Sequence, residues 1–205
     1  MQQTRNVPIS TDLQPLSKDI QQRCGAMVQK YGSAKGFIAA YAVEKFMQRY
    51  NDPQMRAAMV VDCRESVTIS VKSFGRFIVV TAIMPYVMQL CISCGVAYDA
   101  RAVELVTADI IDGFGYLSVP QIICALKYAR EGRLKDGNGK NICTMYGTLS
   151  GSVVMDCINA FIRNFRNPAI EKEEQRARDY EREQSMKRAV TREEWERVQR
   201  KQPPR

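Results

Sequence analysis

Apolar residues recur at three-to-four-residue spacing along most of this chain, the period of a helix that buries one face. The spacing predicts a first helix from Leu16 to Lys30, stopped at Tyr31-Gly32, with Ser33 capping the next. A second helix is expected from Ala34 to Tyr50. It places Phe37, Ile38, Tyr41, Ala42, Phe46 and Met47 on one stripe and ends at Asn51-Asp52-Pro53. From Met55 onward Met59, Val60, Cys63, Val67, Val71 and Phe74 keep the same period, which favours a helix there against the strand-like composition of residues 66–71.

Phe77 to Tyr98 carries no charge over 22 residues, long enough to cross a bilayer. Pro85 near its middle, the polar Thr81, Gln89 and Ser93, a single Leu and the lack of an aromatic belt at both ends favour a buried core helix instead. Were it a span, Lys72 and Arg76 would lie on its cytoplasmic side. Asp99 caps a helix through about Phe114 whose Val103, Val106, Ile110 and Ile111 face inward, and Asp112-Gly113-Phe114-Gly115 breaks it.

Ser118 caps the following helix, which tolerates Pro120 in its first turn and buries Val119, Ile122, Ile123 and Leu126. Lys127, Arg130 and Arg133 lie on or just past its C-terminal end, where cations meet the negative pole of the helix dipole. Asp136-Gly137-Asn138-Gly139 is a strong turn signal, and its Asn-Gly step closes a short hairpin between Lys135 and Lys140. A basic hairpin after two helices has the outline of a winged helix. Ser150 then caps a helix with Val154, Ile158, Phe161 and Phe165 on its buried face.

Past Asn167-Pro168 the chain loses almost all aliphatic residues, and Glu174–Arg178, Glu183–Lys187 and Glu193–Arg197 are spaced as favourable i,i+4 pairs. These predict a solvated helix that need not pack. Thr191 with Glu194 forms a capping-box pattern, implying a break and a short second helix carrying Trp195 and Val198. At the other end, the polar residues 1–15, with Pro8 and Pro15, read as a mobile arm. The expected organisation is that arm, a helical core domain over 16–167 and a charged helical tail over 168–205. The fold class is all-α, a multi-helix domain with a small winged hairpin as its one non-helical addition.

Composition narrows the function. With 205 residues, 45% of them apolar, the chain can bury a sizeable core. Seven cysteines, an odd number spread through apolar helical patterns, read as reduced small hydrophobes rather than a disulfide framework, and the opening MQQTRNVPIS lacks the apolar region of a secretory signal. A cytoplasmic location is expected. The net charge of +8 favours nucleic acid or an acidic partner, although 30 Lys and Arg against 22 Asp and Glu also describe an ordinary solvated helical surface.

Histidine is absent, which removes Ser-His-Asp and Cys-His catalysis, His-ligated metals and the usual general base near neutral pH. A non-enzymatic protein without cofactor or metal is therefore expected. Cys91-Ile-Ser-Cys94 is a CxxC with neither a second CxxC nor a histidine, so two small residues one turn apart on a buried helix account for it better than a zinc or redox site. Gly132 to Asn141 has the glycines of a phosphate-binding loop in the wrong register, with no hydroxyl after Lys140 and a helix, not a strand, before it. The carboxylate pairs Glu173-Glu174 and Glu193-Glu194 belong to the solvated tail.

The basic group Lys127, Arg130, Arg133, Lys135 and Lys140 is the best candidate site, because cations clustered on a helix end and a turn can neutralise phosphates. A merely solvated surface is the competing account. In the tail, Trp195, with Val198, is a candidate docking anchor for a partner protein.

Residues 98–166 resemble a family of small proteins encoded by bacterial phages and mobile elements, over about a third of the chain. The pieces that carry the resemblance are Tyr116-Leu117, the helix over Ile122–Arg130, the Gly132-Arg133 turn, the Tyr146-Gly147 step and the final amphipathic helix from Ser150 to Arg166. The turn region 134–145 is longer than the compact turn usual in that family. Its members are similar in outline to replication accessory proteins, including helicase-loader-like adaptors. The resemblance implies a DNA-replication or DNA-associated adaptor of a phage or mobile element, with DNA and a replication protein as partners and no catalytic residues. A protein-interaction or structural component without nucleic-acid binding is the alternative, and a membrane-associated protein stands third.

Overall fold

The computed structural model describes residues 16–188 and Arg197; the expected arm over 1–15, the break at Thr191 and the anchors Trp195 and Val198 lie outside the described residues. Among the described residues every regular element is helical, and β-pairing is limited to isolated bridges. Helix α1 spans Lys18–Tyr31, α2 Ala34–Ala40, α3 Val43–Asn51, α4 Pro53–Val61 and α5 Val67–Phe74. Helices α6 (Arg76–Cys94), α7 (Ala100–Gly113), α8 (Val119–Arg130), α9 (Gly151–Phe161) and α10 (Asn167–Arg188) follow. The chain is all-α, as the periodicity predicts.

Most helix starts are set by short polar caps that satisfy orphan N–H groups of the first turn. Ser33, Asp99 and Ser150 accept from the backbone at Gly36, Ala102 and Val153. Ser118 does so within a full capping box, in which the Gln121 side chain returns a bond to the Ser118 N–H. Asp52 ends α3 and caps α4 at once, its Oδ1 accepting from Gln54 (2.8 Å) and Met55 (3.1 Å) while Pro53 occupies the first helical position.

Two expected helices are each split. The 34–50 helix breaks at Tyr41-Ala42, where the Tyr41 carbonyl accepts a 2.8 Å hydrogen bond from the Tyr86 hydroxyl. The break seats the Tyr41 ring against Phe37, 4.9 Å between centroids, so tertiary packing overrides a continuous apolar stripe. The 55–74 helix breaks at residues 62–66, where Asp62 folds back on Arg64 through backbone and guanidinium bonds of 3.0, 3.0 and 2.9 Å. Ser66 then restarts it by capping α5 through Ile69, and the β-branched run becomes helix because Val67 and Ile69 are buried.

Helix α6 occupies the middle of the domain, packed against α2, α5, α7 and above all α8. Its Val79, Val80, Ile83, Tyr86, Val87 and Leu90 are buried, while Phe77 and Ile92 at its ends are exposed. By length and composition alone α6 is also sufficient to cross a membrane. Helix α8 is buried from Val119 to Ala129, apart from half-buried Pro120, and forms the second central element.

The expected wing reduces to one antiparallel bridge, Lys135 with Asn141. Its turn is held by Asp136, whose carbonyl accepts from Gly139 (3.0 Å) and whose carboxylate accepts from the N–H groups of Asn138 (2.8 Å) and Lys140 (2.9 Å). Gly139 has φ +77, which favours glycine. The Ile142 N–H still donates to the Leu134 carbonyl (3.0 Å), but residues 143–149 do not pair back as a second strand. They run along the body, because Cys143 and Met145 insert into the core. Helices α9 and α10 join without a loop through a π-helical turn, Ile162–Arg166, in which the Asn167 N–H donates to the Ile162 carbonyl. Pro168 has no N–H to continue the regular ladder, and the wider turn lies immediately before it.

Candidate nucleic-acid interface

The five cations expected to form one basic group fall into two sets with different environments. Lys127 is a correction to that expectation: it is 3% exposed, with Nζ 3.8 Å from Glu131 Oε1 and 5.3 Å from the centre of the Tyr50 ring. The cause is helical geometry, since Lys127 lies one turn past Ile123 and two past Val119, on the buried face of α8. Burial, and secondarily the charge of Arg130, hold its ammonium below the ordinary lysine range.

Arg133 belongs with Lys127. Its guanidinium carbon lies 3.7 Å from the centre of the Tyr128 ring and 5.4 Å from that of Phe165, and its Nη1 is 3.6 Å from Glu131 Oε2. Glu131 also accepts a 3.0 Å hydrogen bond from the Tyr50 hydroxyl. One carboxylate thus partners two cations and a phenol in an aromatic setting formed by Tyr50, Tyr128, Phe161 and Phe165. Burial pushes the Tyr50 and Tyr128 phenols up, and raises the Cys124 thiol on the same helix to about 12. In this inner set Lys127 is buried, and Arg133 is exposed at its edge.

Arg130, Lys135 and Lys140 form the outer set, and all three are exposed. Arg130 Nη1 donates to Gln89 Oε1 at 2.6 Å, which orients the guanidinium without cancelling its charge. Lys135 and Lys140 flank the turn base as the bridge of Lys135 with Asn141 brings its two ends together, and neither forms an ion pair among the described residues. The structure adds a cation that sequence reasoning missed. Arg163 is exposed in the π-helical turn, and the next residue, Asn164, donates to the Lys135 carbonyl at 3.5 Å. Arg130 closes α8, Lys135 and Lys140 stand on the two arms of the turn, and Arg163 directly precedes the Asn164 that meets it.

The cysteines are packing residues, and Cys143 lies against both Cys94 and Cys157. All seven are free thiols; Cys91 is buried, and Cys94 Sγ lies 3.7 Å from Cys143 Sγ. Burial pushes the Cys91 and Cys94 thiols up to about 11. Among the described residues no cluster of three or more Cys, Asp or Glu is arranged to hold a metal ion.

Helix α10 leaves the body with exposed residues along nearly its whole described length, including Tyr180 and Met186. An ion pair on it joins Arg176 to Glu173 at 3.1 Å. A scan of protein-family models finds no match to this chain, and neither the curated proteins nor the solved structures contain one that matches it.

Proposed function

We propose that this protein is a non-enzymatic adaptor that binds the nucleic-acid backbone through Arg130, Lys135, Lys140 and Arg163. The observation that carries the reading is the separation of the two cation sets. Lys127 and Arg133 each pair with Glu131, Arg133 from an exposed position, whereas Arg130, Lys135, Lys140 and Arg163 are exposed and form no ion pair among the described residues. Such an arrangement neutralises phosphates and carries no base readout of its own. The resemblance of residues 98–166 to replication-accessory proteins of phages and mobile elements supports DNA replication as the setting.

Four phosphate contacts give a slope of log affinity against log salt of about −3.6 on duplex DNA. Between 50 and 200 mM salt, affinity then falls about a hundredfold. Fluorescence anisotropy of labelled DNA over a salt series, with the Arg130→Glu, Lys135→Glu, Lys140→Glu triple variant in parallel, tests this. Binding that weakens with that slope and disappears in the variant supports the reading; no binding at low salt overturns it.

A second reading rests on α10. A helix of 22 residues that projects with Tyr180 63% exposed and Met186 71% exposed is suited to meet a partner protein. The expected anchors Trp195 and Val198 come later in the sequence, outside the described residues. Truncation after Asn167 that abolishes partner capture while leaving DNA binding intact would separate the two roles.

A further inference from the structure

Cys94 and Cys143 are 49 residues apart in the chain and meet thiol to thiol, with 3.7 Å between their sulfurs. Backbone bonds set the contact up. Cys94 is the last residue of α6, and Gly95, left-handed at φ +65, turns the chain out of the helix. The segment that follows runs parallel to the connector between α8 and α9, with Ala97 bridged to Thr148. There the Ala97 N–H donates to the Gly147 carbonyl (2.9 Å), and the Leu149 N–H to the Ala97 carbonyl (3.2 Å). On the connector itself the Cys143 N–H donates to Asn141 Oδ1 at 3.1 Å. Two tethered stretches of backbone therefore hold the thiols together. The CxxC spacing pairs Cys94 with Cys91, whereas the fold brings it against Cys143.

The pair is reachable from solvent. Cys94 is half-buried, and both cysteines line a 190 Å³ pocket with Ser93, Arg130, Asn141 and Thr144. Cys143 is 6% exposed and also meets Cys157. That contact, and burial after it, push the Cys143 thiol up beyond that of Cys94, which burial raises to about 11. Cys94 is thus both the more readily ionised sulfur and the one a reagent meets first. Arg130, on the wall of the same pocket, offers a positive charge to an anionic reagent.

We infer that Cys94 and Cys143 are a redox pair that a low-molecular-weight disulfide converts into an intramolecular bridge. Cys94 gives up its proton and attacks one sulfur of the reagent. The bond from Cys94 to that sulfur forms, the S–S bond of the reagent breaks, and its other half leaves as a thiolate that takes up a proton. Cys143, deprotonated in turn, attacks Cys94 Sγ and expels the second half as a thiol. The protein dithiol loses two electrons and two protons, and the reagent gains both as two thiols. To make the bond the sulfurs close to about 2.0 Å. The bridge fastens the connector that follows the 135–141 turn to the end of α6. The pair stays a dithiol in a reducing compartment and responds to oxidising conditions.

The test treats the folded, fully reduced chain with oxidised glutathione, blocks the remaining thiols with N-ethylmaleimide and maps the peptides by mass spectrometry, for wild type, Cys91→Ser and Cys94→Ser. A peptide linked through Cys94 and Cys143 is expected in wild type and in Cys91→Ser, and none in Cys94→Ser. Because the bridge closes a long loop of the unfolded chain, the oxidised wild type is expected to melt about 5 °C or more above the reduced one, and dithiothreitol to reverse the shift. Cys94→Ser, treated identically, shows what glutathione on the other cysteines does to the melting temperature. Circular dichroism checks that both variants keep the fold, and the wild-type peptide map decides the pairing without them. Cys94 left reduced or still carrying glutathione overturns the inference. So does a link from Cys94 to Cys91 or from Cys143 to Cys157, or a melting temperature that does not rise on oxidation.

Discussion

Lys127 lies in the last turn of α8 and Lys135 eight residues further on, past the helix end, and the two have opposite fates. Lys127 is enclosed by Tyr50 and Glu131, and Lys135 stands in water at the base of a turn. The difference teaches that a cluster of cations in sequence is not a cluster of charge in space. On α8 the periodicity of the buried face decides, and a cation on it becomes part of the core through its stem and a carboxylate one turn away. Further past the helix end, Lys135 and Lys140 are exposed and form no ion pair among the described residues, so their charges remain open to a ligand.

The sharpest way to break this comparison is to reverse the outer set. The Arg130→Glu, Lys135→Glu, Lys140→Glu variant is expected to lose DNA affinity by about a thousandfold, or about 4 kcal/mol, with the melting temperature within a few degrees of wild type. Loss of folding instead would place these residues in the structural set. Lys127→Glu is the converse. Two carboxylates facing each other in a buried site cost about 3 kcal/mol or more of stability in urea titrations. Lys127→Met, which keeps the stem and removes the charge, is expected to change stability by only about 1 kcal/mol and to bind DNA as wild type does.

Alkaline pH sharpens the contrast through the groups around the inner set. Tyr50, Tyr128 and Cys124 have folded-state pKa values raised above those of the unfolded chain. A raised value favours the protonated form in the folded state, so the associated stability is present below the unfolded pKa and is lost as pH rises above it. Each such group removes about 1.4 kcal/mol per pH unit above that point until its folded value is reached. With no histidine in the chain, urea midpoints should be flat from pH 6 to pH 8 and fall steeply above about pH 9–10. A transition near pH 6.5 would contradict this.

Smaller effects follow at the margins. Arg133→Ala removes the stacking on Tyr128 and is expected to cost about 1 kcal/mol of stability and less than about threefold in DNA affinity. Arg76→Ala breaks an exposed pair with Asp112 and should cost under about 1 kcal/mol, giving a baseline against which the inner and outer substitutions are read.

Much of the scaffold was legible in the sequence because short polar caps carry local instructions. Ser33, Asp99, Ser118 and Ser150 each mark a helix start that depends on little beyond the following turn. The break at Tyr41 was not legible, because its cause is the Tyr86 hydroxyl 45 residues away. The break at residues 62–66 had a local sign in Ser66, which the strand-like composition after it obscured. For the site, four of the five cations picked out by their spacing, Arg130, Arg133, Lys135 and Lys140, are exposed. The burial of Lys127 had a signal in its four-residue step from Ile123 and to Glu131. Arg163 had no sequence signal linking it to the turn, since its neighbour Asn164 meets Lys135 from 29 residues away.

The most direct test of the central claim is the salt dependence of DNA binding measured side by side for wild type, Lys127→Met and the outer charge-reversal variant. The account predicts the same slope, about −3.6, for wild type and Lys127→Met, with no measurable binding by the charge-reversal variant. A slope reduced in Lys127→Met, or binding that survives reversal of Arg130, Lys135 and Lys140, would contradict it.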